Sequence, residues 1–148
     1  MELQNEVFIE APPAVVFRVL TDPEYLLRTM PGLKELTPVE PDTYAAVLEL
    51  GVAAIRGRYT GTMRIVDADP PHRYRLDMDG KGPGAFVKLT MDIRIAPKDG
   101  GSTVSYQGSA QVGGTIAGVA QRVMGGVANM VLGQFFEAVR KEAVALAG

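Results

Sequence analysis

The chain has 148 residues, with 15 lysines and arginines against 17 aspartates and glutamates, one histidine and no cysteine or tryptophan. Its length fits a single domain, 1–148, and its apolar content of 47% is ordinary for a globular protein. The small net charge of −2 argues against nucleic acid as a partner, and the lack of cysteine excludes disulfides, thiol catalysis and cysteine-ligated metals.

Neither a secretory leader nor a membrane-spanning segment is expected from the sequence. The first ten residues carry three acidic side chains and no basic run, which is unlike a signal peptide. The longest uncharged stretch late in the chain, 123–136, is shorter than the ~20 residues that a membrane helix needs. We therefore expect a cytoplasmic protein.

Hydrophobic periodicity divides the chain into strands and helices. Prolines 13 and 23 stand where the first turn of a helix tolerates them, and Thr21-Asp22-Pro23-Glu24 is typical of a helix cap. The predicted elements in chain order are a strand at 3–9, short helices at 13–20 and from 21 to before Pro31, strands at 33–39, 43–52, 55–66, 73–79, 85–95 and 103–112, and a helix at about 115–146.

The strands alternate cleanly between apolar and polar residues, which predicts an antiparallel sheet with one apolar face. The last helix, roughly 48 Å long at 1.5 Å per residue, is long enough to cover that face. We therefore predict an α+β fold in which a curved seven-stranded sheet wraps around a long C-terminal helix, with two short helices after the first strand. The residues predicted on the apolar face of the long helix are Ile116, Ala120, Val123, Val127, Met130, Val131, Gln134 and Ala138.

Six short segments follow one another in a characteristic order along nearly all of the chain. They are Ile9-Glu10-Ala11-Pro12-Pro13, Thr21-Asp22-Pro23-Glu24 with Met30-Pro31-Gly32, Gly57-Arg58-Tyr59-Thr60-Gly61, Gly80-Lys81-Gly82-Pro83-Gly84, Val112-Gly113-Gly114-Thr115-Ile116-Ala117, and Phe135-Phe136. On these segments the chain resembles the carbon monoxide dehydrogenase G-subunit family of the START-like (helix-grip) superfamily. Phe17 departs from the pattern, because relatives usually have tryptophan there.

The resemblance implies a non-catalytic accessory protein that needs no cofactor of its own. It implies two partners: a molybdenum hydroxylase of the carbon monoxide dehydrogenase type, and a hydrophobic small molecule such as a quinone or a lipid. It also implies a peripheral position at the inner membrane surface, where such proteins are thought to connect the dehydrogenase with the membrane.

The residues themselves also argue against catalysis. The inward strand positions carry no Asp, Glu, Lys or His, so neither a general base nor an activated nucleophile is visible. The single histidine, His72, lies in a predicted turn and has no ligand spacing around it, so no metal site is expected. A cyclase, dehydratase or hydrolase that uses the same cavity remains an alternative, as does a purely structural assembly factor.

The inward glycines 57, 61 and 108 indicate either a cavity, or sheet curvature or close helix packing. Three further observations favour a ligand cavity between the sheet and the long helix. Inward methionines tolerate irregular ligands, inward tyrosines bring hydroxyls that need partners, and the amide of Gln134 on the apolar helix face is costly without a hydrogen bond. The predicted ligand-binding residues are Tyr59, Met63, Tyr74, Met78, Leu89, Met91, Tyr106, Val127, Met130, Val131 and Gln134, with an entrance near 30–32 and 80–84.

A second face of the long helix combines glycines with large residues. Gly118, Gly125, Leu132 and Phe136 share this face. Packing against the two short helices is the interpretation that we favour. A second copy of the chain, forming a homodimer, and a membrane surface are the alternatives that the sequence leaves open.

Overall fold

The computed structural model describes residues 1–51, 56–115 and 117–148; the side chains of residues 117 and 119–124 lie outside the description. Its elements are β1 (Glu2–Ile9), α1 (Pro13–Thr21), α2 (Pro23–Thr29), β2 (Leu33–Glu40), β3 (Thr43–Leu50), β4 (Gly57–Asp69), β5 (Arg73–Gly82), β6 (Ala85–Lys98), β7 (Gly101–Gly113) and α3 (Ala117–Ala147). The predicted order of elements is confirmed, and the predictions for residues 52, 55 and 116 lie outside the described residues.

All neighbouring strands pair antiparallel in the order β1-β7-β6-β5-β4-β3-β2. The first strand therefore lies beside the last one, and β1 and β2 form the two edges. Asp99 and Gly100 both have positive φ and join β6 to β7, as a tight hairpin turn requires. The β2 edge is irregular, because its register with β3 shifts between Leu33 and Glu35 and again between Pro38 and Glu40.

The short helices begin at their prolines, and the side chain of Asp22 caps α2. Its carboxylate accepts a hydrogen bond of 2.9 Å from the backbone N–H of Glu24. The hydroxyl of Thr21 donates to the carbonyl of Phe17 at 2.8 Å, within the last turn of α1. Both helices pack against α3, and the ion pair between Arg28 and Glu142 joins α2 to α3 at 3.7 Å.

The core lies between the inner face of the sheet, the two short helices and the C-terminal half of α3. Tyr74 is buried on β5 and meets the edge of Phe17 from α1 at 5.7 Å between ring centres. Phe136 of α3 is stacked on Tyr106 of β7 at 5.0 Å, and it meets Phe135 edge-on. Phe136 is therefore packed in the core against β7, and packing of its helix face against the two short helices stays a prediction.

The predicted apolar face of α3 is wrong in its C-terminal half. Met130 is 42% exposed and Gln134 is also exposed. The buried positions are instead Phe135, Phe136, Val139 and Ala143, which centre about two-fifths of a turn around the helix from the predicted face. The physical reason is that Phe135, Phe136 and Val139 carry the buried apolar volume of this half, with Phe136 stacked on Tyr106 of β7, while the prediction extended the stripe of the N-terminal half. The predictions for Ile116, Ala120 and Val123 lie outside the described side chains.

The inward glycines are explained by close approach of strands. A Cβ atom at Gly61 would overlap the carbonyl oxygen of Asp79 on β5, and one at Gly108 would overlap that of Thr90 on β6. Glycine is needed where two backbones come this close. The structure thus favours the curvature interpretation of these two glycines, and they are no argument for empty volume.

Candidate functional site

The inner face of the sheet is built in rows that run across the strands. Met63 of β4 lies opposite Met78 of β5, which lies opposite Leu89 of β6, which lies opposite Ala110 of β7. Because directly opposite residues share a face of an antiparallel sheet, these side chains form one continuous apolar row. Tyr106 belongs to a parallel row and lies opposite Asn5 of the edge strand.

The predicted ligand-binding residues have three different environments in the structure. The buried ones are Tyr59, Met63, Tyr74, Met91, Tyr106 and Val127. The half-buried ones are Met78, Leu89 and Val131, and the exposed ones are Met130 and Gln134. The structure thus brings the strand residues together on one concave surface, while Met130 and Gln134 point away from the core that α3 covers.

Burial of the inner face falls from one end of the sheet to the other. Beside the short helices, Tyr74, Ile93 and Val104 are fully buried. Toward the opposite end, Met78 and Leu89 pack against the core but remain half-buried. Leu48, Val87 and Val112 are also half-buried on inward positions there. The described residues therefore leave part of an apolar concave surface incompletely covered.

Tyr59 brings a polar group to this less covered end. Its side chain is 3% exposed, and its ring lies against Gly82, where a Cβ atom would come within 2.7 Å of the ring. Among the described residues its hydroxyl has no hydrogen-bond partner. Burial raises the pKa of Tyr59, so the hydroxyl keeps its proton and can donate a hydrogen bond. A buried hydroxyl without a partner is costly, so this group is available for a ligand oxygen.

The chemistry open to this surface is narrow. The inward positions of β4 to β7, all of them described, carry no charged side chain. Burial also raises the pKa of Tyr74 far above its ordinary value, so neither Tyr59 nor Tyr74 can act as a base near neutral pH. In the described part of the chain, no three His, Cys, Asp or Glu side chains group together to hold a metal.

Sequence reasoning missed a groove between the edge strand β1 and helix α3. Its volume is about 270 Å³, and its lining includes Asn5, Tyr106, Asn129, Gly133 and Phe136. Of the predicted ligand-binding residues, Tyr106 lines this groove. The sequence signal that could have revealed this groove is Asn5. It is a polar residue at an inward position of β1, where the other inward residues are apolar.

The outer face of the sheet carries charges of both signs, which pair with one another at the surface. Arg75 pairs with Asp77 at 3.0 Å, and Arg58 lies 3.4 Å from Glu49. His72 is exposed in the turn between β4 and β5, as predicted. The glycine-rich segment 80–84 ends β5 and turns into β6, so it leads into a strand and not into the helix that a phosphate loop requires.

Comparison with known families identifies the sequence pattern. The family model CoxG, which describes the G-subunit of carbon monoxide dehydrogenase, matches residues 6–144. No curated protein matches the chain. Of the helices within the described residues, none is both long and apolar enough to cross a membrane.

Solved structures show the same fold. A conserved protein from Geobacillus kaustophilus is 32% identical, with a TM-score of 0.93 over 98% of this chain and 96% of that one. Ara h 8.0201 is 18% identical, with a TM-score of 0.73 over 98% of each chain. The Zhui aromatase/cyclase from Streptomyces sp. R1128 is 18% identical, with a TM-score of 0.69 over 97% of this chain and 93% of that one. The fold is thus the helix-grip, START-like fold, as the resemblance predicted.

Proposed function

Because the chain belongs to the CoxG family, that of the carbon monoxide dehydrogenase G-subunit, we propose that it is a non-catalytic accessory protein that binds a hydrophobic ligand between the sheet and α3. The ligand class that we propose is an elongated apolar molecule with a hydrogen-bonding oxygen, such as a quinone or a lipid. The predicted strand residues from Tyr59 to Tyr106, with Val127 and Val131 of α3, would line its site.

One observation carries the proposal: apolar side chains that face inward remain partly open to solvent. Met78 and Leu89 lie in the middle of their strands and still keep accessible surface. In a filled core these positions would be as buried as Ile93 on the same strand as Leu89. Transfer of a hydrocarbon chain onto this surface contributes about 0.8 kcal/mol per buried CH₂ group. A short chain would therefore suffice for measurable binding after the cost of association.

The hydroxyl of Tyr59 supports a ligand with an oxygen acceptor. It is buried, protonated and without a partner among the described residues. A hydrogen bond to a ligand carbonyl would satisfy it, and would fix the end of the ligand at the less covered end of the sheet.

The same surface argues against turnover. A relative in fold is an aromatase/cyclase, but fold alone does not transfer an activity. Acid–base catalysis needs a group that exchanges a proton near neutral pH, and burial raises the pKa of Tyr59 and of Tyr74 on this surface. An accessory role fits these residues better than a cyclase or hydrolase does.

The ligand is tested by mass spectrometry under mild conditions, after the protein has been exposed to a membrane lipid extract. We expect a retained quinone or lipid in the wild type. Met78→Trp and Leu89→Trp fill the inner surface and should abolish retention. Phe86→Trp, on the exposed outer face of β6, is the matched control and should retain the molecule. If the wild type retains nothing, and both inner variants unfold because the space is already full, the chain is a structural assembly factor.

The proposed partner is a molybdenum hydroxylase of the carbon monoxide dehydrogenase type, at the inner membrane surface. The molybdenum belongs to that enzyme. The test mixes the tagged chain with the purified dehydrogenase, with and without vesicles of membrane lipid, and measures how much dehydrogenase is retained through the tag. Failure of the two proteins to associate under either condition would contradict this part of the proposal, whatever the chain binds in its cavity.

A further inference from the structure

The edge strand β1 lacks the prolines, bulges and lysines by which edge strands are commonly kept from pairing with other chains. It runs in continuous register with β7 over all eight of its residues. Its even-numbered side chains, from Glu2 to Phe8, are exposed, and so is the inward residue Asn5. A regular, exposed edge of this kind offers its backbone to a further extended chain.

The backbone groups on the free side of β1 belong to its even-numbered residues. Met1 and Ala110 exchange two hydrogen bonds of 2.8 Å, which makes them a hydrogen-bonded pair of the antiparallel ladder. Because such pairs alternate along a ladder, the even-numbered residues 2 to 8 direct their N–H and C=O groups away from β7. The N–H of Glu6 agrees with this direction, since it donates to the side chain of Asn5 at 2.8 Å. A carbonyl of an added strand would replace that exposed side chain as the acceptor.

The side chains on the outer face of β1 give this edge a negative charge. Glu2 lies opposite Ser109 and Glu6 lies opposite Ser105 on β7. No ion pair joins either glutamate to another of the described residues, and β1 itself holds no lysine or arginine. A second copy of the chain on this edge would add two more glutamates, whereas a basic segment would bring compensating charge. The charge therefore favours a basic occupant over a second copy.

The groove between β1 and α3 lies beside the same edge, on its inner side. Asn5 and Val7 line it from β1, and Gly133 lines it from α3, with open space where a Cβ atom would stand. At one end, the ion pair between Arg140 and Glu10 bounds the groove just beyond β1. Because side chains alternate between the two faces of a strand, the residues of an added strand opposite Asn5 and Val7 would point over this groove. Small apolar side chains suit that position.

We propose that β1 is the docking edge for an extended, basic segment of a partner protein, which adds to the seven-stranded sheet as a further strand. The basic residues of that segment lie near Glu2 and Glu6 on the outer face, and the alternate residues face the groove. Hydrogen bonds between the main chains supply affinity, and the alternating side chains supply specificity. The proposal rests on the proposed function only for the expectation of a protein partner, and it names the chemistry by which that partner is recognised.

The probe is a short peptide labelled with fluorescein in which lysine and valine alternate, and fluorescence anisotropy measures its Kd for the full chain. Gln4→Pro removes an N–H group from the free edge and leaves the hydrogen bonds to β7 in place. Gln4→Ala is the matched control, because it removes the same side chain and keeps the N–H. We expect Gln4→Pro to weaken binding by about tenfold or more, and Gln4→Ala to bind as the wild type does.

Charge and groove are tested by two further pairs of variants. Glu6→Lys should weaken binding by about tenfold. Its control is Glu40→Lys, an exposed position on the other edge strand with the same change in net charge, which should leave Kd unchanged. Gly133→Trp fills the groove and should weaken binding, whereas Gly126→Trp lies on α3 outside the groove lining and should not. Circular dichroism checks that each variant folds.

Hydrogen exchange of the wild type covers the case in which Gln4→Pro does not fold. Saturating peptide should slow the exchange of the amide protons of Gln4 and Phe8 by about tenfold or more, because they gain hydrogen bonds. The amide protons of the opposite edge strand, β2, should exchange as they do without peptide.

Four results would each overturn the docking edge. Equal affinity for a peptide of the same composition with its lysines in one block would show attraction between charges without strand pairing. Equal affinity of Gln4→Pro and Gln4→Ala would place the peptide elsewhere on the protein. A wild type that sediments as a dimer, with Gln4→Pro as a monomer, would make a second copy the occupant. No binding of the alternating peptide would also refute it, and would leave the hydrophobic-ligand function untouched because the assay contains neither lipid nor dehydrogenase.

Discussion

Replacing Tyr59 by phenylalanine tests whether its buried hydroxyl lacks a partner. The hydroxyl belongs to a side chain that is 3% exposed, and none of the described residues forms a hydrogen bond with it. Burial of an unpaired hydroxyl costs about 1–3 kcal/mol in mutational series. Phenylalanine keeps the ring over Gly82 and removes the cost, so we expect the free energy of unfolding to rise by about 1–2 kcal/mol.

The assay is thermal and urea unfolding of the ligand-free protein followed by circular dichroism. A gain of this size should raise Tm by about 3–6 °C for a chain of this length. The control is Tyr44→Phe on β3, whose side chain is only half-buried, so that its change should stay within about 0.5 kcal/mol. A loss of stability in Tyr59→Phe would refute the reasoning, because it would show that the hydroxyl is already bonded within the folded chain.

Burial and contact lead to three further expectations. Phe136→Ala should lower the free energy of unfolding in urea by about 3–5 kcal/mol, whereas Gln134→Leu should change that free energy by less than about 0.5 kcal/mol. Equal losses in the two variants would contradict the orientation of α3. Gly133→Ala should raise stability by about 0.5–1 kcal/mol, while Gly61→Ala should lower it because its Cβ would overlap the backbone of β5; equal gains would refute the close approach. The contribution of Tyr74 to the free energy of unfolding should be fully present below about pH 10 and be lost as the pH rises further, because its raised pKa keeps the phenol protonated in the folded chain while the unfolded chain ionises. Tyr74→Phe should make the free energy of unfolding fall less steeply between about pH 9 and 11, and an unchanged slope would contradict this prediction.

Sequence periodicity was sufficient for the sheet but not for the helix that covers it. A strand has two faces, so the alternation around Met63 and Met91 assigns every side chain once one is known. A helix can turn its apolar residues in any direction, and α3 carries one apolar stripe that includes Val127 and another that includes Phe136. Which stripe is buried in the C-terminal half of α3 depends on its contacts with other elements, such as that of Phe136 with Tyr106 of β7, and these contacts are far apart in sequence.

The candidate site divides in the same way. The apolar character of the inner face and its tyrosines could be predicted, because they depend on residue type and alternation alone. The unpaired state of the Tyr59 hydroxyl and the groove beside Gly133 could not. Both depend on distances between elements that pattern analysis does not measure.

The irregular outer edge of β2 limits how copies of this chain can assemble. A flat, unpaired edge strand invites a neighbouring molecule to extend the sheet, which leads to strand-swapped dimers or fibrils. Here two register shifts bend the strand, Pro38 lacks an N–H to offer, and Lys34 and Glu35 are exposed along it. The sheet therefore ends at β2, and a homodimer of this protein would have to use a surface other than that edge.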